Sequence, residues 1–470
     1  MNAAEPRAIS FLRSLTVLDA KAIERLAPTS LTLVLLYAGC LAVGNSPGNV
    51  LLGILAISAL PIVALRQELR SRPILIFSLF IILYLLAMAV RAELEGIPGR
   101  HIRAIDNFAF VAFAPFVAVH VAIALRFPMM SFERLCLLAA AIFIAGSSAR
   151  LFWNADWAAG LSLFGEYEWG AGGGNRNYLS IEAGLTLLAS GSLLVLAVAT
   201  RRWPPPVRLV VGGLLALVCA LDFLALIEMK SRTNWIAATV AGLVWLVTLF
   251  VGSLRRGGAR RSVLWGAAAA VAVLAAVGLA AFSSQIASRL SDNGGVTANA
   301  ELLAGIVTGR LDRSSIDFQA YDPRLPLFVT ARELIAMKPL FGWGTDVGPL
   351  VKEHVGVTAL QGKTQFHDAY LEFLVAVGIV GTGLIAGHLA AVALACRRRT
   401  APALDPDVGV LLAALAAGSL AYVGIVAIAE SANRMEIITQ GLVLLFALML
   451  GRGSIGQAIE RIAGSATRPQ

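Results

Sequence analysis

PILIFSLFIILYLLAMAV, residues 73–90, runs eighteen positions without a charge. A helix of about that length crosses the hydrocarbon core of a bilayer. Arg66, Arg70 and Arg72 stand on one side of it and Arg91 on the other. The same kind of run recurs at 27–43, 50–65, 105–125, 135–153, 179–200, 207–227, 235–254, 262–282, 369–396, 408–429 and 437–451, giving about twelve spans. The chain is 58% hydrophobic and 14% charged, against about a quarter charged for soluble domains. That composition excludes a water-soluble protein and predicts an all-α polytopic membrane protein.

Residues 1–26 are amphipathic and lack a short apolar core with a small-residue cleavage site, so they read as a retained segment. The expected organisation is an N-terminal segment 1–26, helices one to nine over 27–282, a large polar insertion 283–366, helices ten to twelve over 367–451 and a tail 452–470. The 84-residue insertion is too long for a plain loop and should carry short helices of its own. Within it, 329–337 has helical spacing and stops at Lys338-Pro339, because the residue before proline disfavours the helical region. Gly170-Ala171-Gly172-Gly173-Gly174 lacks the setting of a phosphate loop and reads as a flexible connection.

The net charge is +9, and its distribution matters more than its size. With twelve spans, the loops sharing a side with both termini hold 22 basic and 8 acidic residues; the rest of the chain holds 16 and 21. The positive-inside rule makes that richer side cytoplasmic. The excess is a signal of orientation and gives no support to nucleic-acid binding. Cys40, Cys136, Cys219 and Cys396 lie in apolar stretches without metal-ligand spacing and read as small hydrophobes. Asp405-Pro406-Asp407 lies in a short cytoplasmic connector and reads as a turn, so no metal site is expected.

Arginines retained on the outer face run against that rule. Most are read as solvated surface. Arg232, in the very short loop after span seven, stands out, because a guanidinium at a helix end binds phosphate through two parallel hydrogen bonds. Arg434, in Glu430-Ser431-Ala432-Asn433-Arg434, and Arg176, between two asparagines, are further candidates. The carboxylates near the spans, Asp106, Glu182, Asp222, Glu228, Glu372, Glu430 and Glu436, are expected to pair with these arginines. Of five histidines, His120 and His388 read as packing residues and His101 and His354 as solvated loop residues. His367 opens span ten, where the insertion re-enters the membrane. A neutral imidazole there accepts a proton, as a general base must. A base near several arginines suggests a reaction in which a hydroxyl is deprotonated while a phosphate departs.

Pro339-Leu340-Phe341-Gly342-Trp343-Gly344, then His367-Asp368-Ala369-Tyr370-Leu371-Glu372 and Gly378-Ile379-Val380-Gly381, resemble the signature of the O-antigen ligase and O-antigen polymerase superfamily. Arg324, fifteen residues before Pro339, matches that pattern's arginine, and Ser231-Arg232 resembles its Ser-Arg pair. Asp368 departs from it, since the family more often has asparagine there. The resemblance implies a membrane glycosyltransferase of the GT-C type that takes a glycan from undecaprenyl pyrophosphate on the periplasmic face of the bacterial inner membrane. The acceptor would be lipid A–core for a ligase, another repeat unit for a polymerase, or a protein hydroxyl. It implies His367 as base, Arg232 and Arg324 as pyrophosphate ligands with Arg176 and Arg434 as additions, and an inverting reaction without metal or other cofactor. The expectation adopted is the ligase, in contact with membrane lipids. A transporter or flippase would also have twelve spans, but should show inverted repeats and paired broken helices, and the sequence has neither.

Overall fold

In hydrocarbon every backbone N–H and C=O must be satisfied within its own segment, so apolar runs of this length become helices. The computed structural model describes residues 20–43, 45–154, 176–199, 204–229, 231–254, 325–354, 364–397 and 406–465, with the single positions 283, 305 and 308. The principal helices are α1 (Ala20–Val43), α2 (Asn45–Leu65), α3 (Pro73–Leu94), α4 (Asp106–Ala124), α5 (Phe132–Asn154), α6 (Arg176–Ala199), α7 (Pro205–Glu228), α8 (Arg232–Leu254), α9 (Leu325–Met337), α10 (Gly348–His354), α11 (Ala369–Arg397), α12 (Pro406–Ala429), α13 (Glu436–Arg452) and α14 (Ser454–Ser465). Among the described residues nine helices are long and apolar enough to cross a membrane, and α13 with α14 forms a further candidate bent by 46°. The protein is an all-α polytopic membrane protein. The expected ninth span, 262–282, the glycine run 170–174, and most of the 283–366 insertion lie outside the described residues.

The helices form two groups. In one, α4 is the axis, its apolar window 83% buried, as befits a helix apolar all round. Around it pack α1, α2, α3, α13 and α14, and α11 joins through α3. In the other, α12 packs on α8 and α6, and α7 on α6. α5 bridges the groups by touching α1 and α6. His120 and His388 are packing residues as expected. The His120 ring lies 3.1 Å from Ser30 Oγ and from the Leu55 carbonyl, and His388 Nε2 lies 2.8 Å from Ser78 Oγ.

Three expectations need correction. The segment after 451 is not a plain tail: it turns at Gly453 into α14, which buries Ile455, Ala458, Ile459 and Ile462 and exposes Glu460. His101 is not solvated but fully buried. Its Nε2 lies 3.1 Å from the Ile97 carbonyl and its Nδ1 accepts the Asp346 N–H at 3.1 Å, so both ring nitrogens are satisfied without water.

The third correction is that α11 is not continuous. Gly378, at φ 66° and ψ −173°, breaks it in a region of backbone space essentially closed to other residues. The break frees carbonyls above and N–H groups below, and the 339–344 turn takes up both. Trp343 and Gly344 donate to the Val375 and Ala376 carbonyls at 2.9 and 2.8 Å; Ile379 and Val380 donate to the Pro339 and Leu340 carbonyls at 2.9 and 3.1 Å. Arg91 Nη2 fastens the same turn through the Gly342 carbonyl at 2.6 Å, so this arginine has a structural role. The glycines of the signature therefore build a joint between turn and helix.

Candidate functional site

His367 lies at the helix boundary, two residues before α11 begins and not in its first turn. Asp368 takes the capping position, its Oδ1 accepting the Leu371 N–H at 2.9 Å, so the helix begins at Ala369. His367 itself has φ +55°, a left-handed conformation that histidine tolerates better than most residues and that costs on the order of 1–2 kcal/mol.

Glu372, fully buried one turn into α11, fixes this strained turn. It accepts the Phe366 N–H at 3.1 Å, the Ser431 hydroxyl at 2.5 Å, the Asn433 amide at 3.3 Å and Arg434 Nε at 2.8 Å. Arg434 Nη1 also donates to the Thr364 carbonyl at 3.0 Å. Two loops distant in sequence, 364–368 and 430–434, are thus knotted on one carboxylate. The expected pairing of Glu372 with an arginine holds, as it does for Glu182, which meets Arg150 at 3.1 Å. Arg434 is committed to this knot.

The knot brings His367 to Glu430. The imidazole Nδ1 stands 3.3 Å from Glu430 Oε2, with side-chain exposures of 12% and 3%, so the ring is reachable from one side and the carboxylate is not. Asn177 Nδ2 donates to the other oxygen of Glu430 at 2.9 Å. Donation from Nδ1–H to Glu430 leaves the Nε2 lone pair to accept a proton; the Gln365 amide is 3.5 Å from it. The carboxylate then both selects the tautomer and stabilises the imidazolium once a proton is taken. Sequence reasoning placed Glu430 with an arginine; among the described side chains it meets a histidine and an asparagine. The only available signal was a carboxylate ending an apolar span.

Two more helices reach this point. Asn177 is the second residue of α6, so Arg176 opens that helix beside Glu430. Gly418 of α12 lies against Ala241 and Trp245 of α8, and Gly252 of α8 against Val410 of α12. That antiparallel register sets Arg232, which opens α8, level with the end of α12 at Ala429. Helix N-termini attract anions through their free N–H groups and dipole. The side chains of Arg176 and Arg232, and all of Arg324, lie outside the described residues. Among the described residues no cluster of three or more His, Cys, Asp or Glu side chains could hold a metal.

Burial pushes the Asp368 carboxyl up to about 6, partly offset by the backbone N–H groups it caps. The protonated form is the one folding favours, so its contribution is complete below the ordinary carboxylate range and is lost as pH rises through about 6. Asparagine caps as well and carries no charge to desolvate. Asp368→Asn is expected to raise the thermal midpoint at about pH 8 and to lose that advantage by about pH 4. An equal gap at both pH values in a thermal-shift series would show that the carboxyl is not what titrates.

Residues 215–386 match the family model described as O-Antigen ligase. The matched stretch takes in Arg232, Arg324, the 339–344 turn, His367 and Gly378. No protein of curated function matches the chain.

Proposed function

We propose, from the match of residues 215–386 to the O-Antigen ligase family model, that the protein is an O-antigen ligase. It transfers a glycan from undecaprenyl pyrophosphate to the lipid A–core oligosaccharide at the periplasmic face of the inner membrane, with both termini cytoplasmic. The observation that carries the mechanism is the His367–Glu430 pair, at the point where α6 and α8 begin. His367 Nε2 takes the proton of the acceptor hydroxyl as its oxygen attacks the anomeric carbon. The bond from that carbon to the pyrophosphate oxygen breaks in the same displacement, which inverts the centre. Glu430 holds the imidazolium. The leaving lipid pyrophosphate needs positive charge more than an acid, and Arg232 and Arg324, aided by Arg176, supply it without a metal. Arg434 serves this reaction by positioning the base.

The test is reconstitution of purified protein with lipid-linked glycan and one of three acceptors: core–lipid A, a second donor molecule, or a pilin-like protein, each with and without chelator. Product on core–lipid A alone, insensitive to chelator, is the expected result. Growth of the glycan on a second donor makes the protein a polymerase, and glycosylated pilin a protein transferase. Arg232→Ala and Arg324→Ala are each expected to raise the donor KM about tenfold to a hundredfold, the scale of one lost hydrogen bond to a charged group. Unchanged donor dependence in both would remove the phosphate role.

A further inference from the structure

Gln365 stands two residues before His367, on a stretch whose backbone is fastened on either side of it. Arg434 Nη1 holds the Thr364 carbonyl at 3.0 Å, and Glu372 holds the Phe366 N–H at 3.1 Å. The Phe366 ring is fully buried, whereas the Gln365 side chain beside it is only partly buried. The Gln365 amide nitrogen lies 3.4 Å from His367 Nδ1 and 3.5 Å from Nε2. Among the described residues the amide has no other hydrogen-bonding partner.

These contacts suit exchange better than bracing. Hydrogen bonds from N–H groups prefer about 2.9–3.0 Å, so both are long and readily given up. The ring already has Glu430 on Nδ1. With Nδ1–H given to that carboxylate, Nε2 alone keeps a lone pair, and an N–H fixed on it would compete with the proton the base must take. A loosely held amide avoids the conflict: an incoming hydroxyl takes Nε2, and the amide turns to the newcomer.

The newcomer belongs to the acceptor, because the donor presents an anomeric carbon and no proton to the base. An oxygen within hydrogen-bonding distance of Nε2 also lies beside the amide. A primary amide offers two N–H donors and a carbonyl acceptor, which matches sugar hydroxyls that both donate and accept. A phosphate only accepts and would leave the amide carbonyl unmatched. We propose that Gln365 binds the acceptor: its amide hydrogen-bonds the sugar that carries the attacking hydroxyl and selects which hydroxyl faces His367 Nε2. This deepens the functional reading above, on which it rests, by assigning the acceptor side of the same site.

Gln365→Ala removes the amide from a partly exposed position, and the variant is expected to fold and melt as the parent does. In reconstituted transfer its acceptor KM should rise about tenfold, the scale of one neutral hydrogen bond, with the donor KM unchanged. A lower kcat with both KM values unchanged would mean that the amide only orients the ring, and would overturn the proposal. So would a rise in the donor KM alone, or no change. Acceptors lacking one or the other hydroxyl beside the attacking one give a second readout. The parent should lose about tenfold on one of them and Gln365→Ala almost nothing, because the partner is already gone. Equal losses in parent and variant would also overturn it. Binding of core–lipid A and of lipid-linked glycan, each alone with protein in nanodiscs, separates this inference from the functional reading. If Gln365→Ala binds neither more weakly than the parent, Gln365 does not hold the acceptor. If it binds one more weakly and the parent transfers no glycan, the inference stands and the functional reading fails.

Discussion

His367→Ala lowers glycan transfer by about a hundredfold to ten-thousandfold, the contribution of a positioned general base, while the protein inserts and melts as the parent does. Complementation of a ligase-deficient strain, read from the lipopolysaccharide ladder on a gel, should show core alone. In the proposed reaction Glu430 acts through the ring, 3.3 Å from Nδ1. Glu430→Gln should therefore cost less, about tenfold to a hundredfold, as the loss of an orienting partner does at other histidines. Because the two act as one unit, the double variant should be no slower than His367→Ala alone. A normal ladder with His367→Ala would end the base assignment. Multiplying effects in the double variant would mean that Glu430 serves by another route.

The second large effect is on folding. Gly378→Ala forces a side chain into a conformation reserved for glycine and sets its Cβ against the Leu340 carbonyl oxygen. The strain alone is on the order of 1–3 kcal/mol. Pushing the turn away also endangers four backbone hydrogen bonds, each worth about 1 kcal/mol and costing more when left unmade in an apolar surrounding. The variant should yield little monodisperse protein. Gly383 and Gly387 lie in the same helix with open space at their Cβ positions. Alanine there should be neutral, or stabilising by up to about 1 kcal/mol. If Gly378→Ala purifies and melts like Gly383→Ala, the joint is not what holds α11 to the turn.

The spans were legible because length and apolarity alone decide them; α3 (Pro73–Leu94) and α12 (Pro406–Ala429) lie close to where the charge-free runs place them. His367 was legible from its position at the head of a span. Its partner was not, because Asn177, His367 and Glu430 meet through the register of three helices, which no local pattern encodes. The break at Gly378 was hidden for a related reason. The sequence stays apolar through it, and the groups that repair it come from 339–344, a separate turn. His101 misled because its neighbours are polar, whereas the carbonyl and N–H that satisfy it come from Ile97 and Asp346. Arg91 and Arg434 were both visible as charges beside apolar spans. Their partners, a carbonyl of the turn and a buried carboxylate, could be seen only in three dimensions.

The knot on Glu372 bears on how the protein comes into being. Its side-chain donors, and the carboxylate that orients the base, belong to segments made late in synthesis, at 430–434. A nascent chain that has threaded everything up to α11 carries the histidine on a strained turn that lacks the 430–434 half of its bracing. Competence for chemistry thus arrives all at once, near the end of translation. A product truncated before α12 would lodge in the bilayer without the Glu430 carboxylate that the proposed chemistry requires.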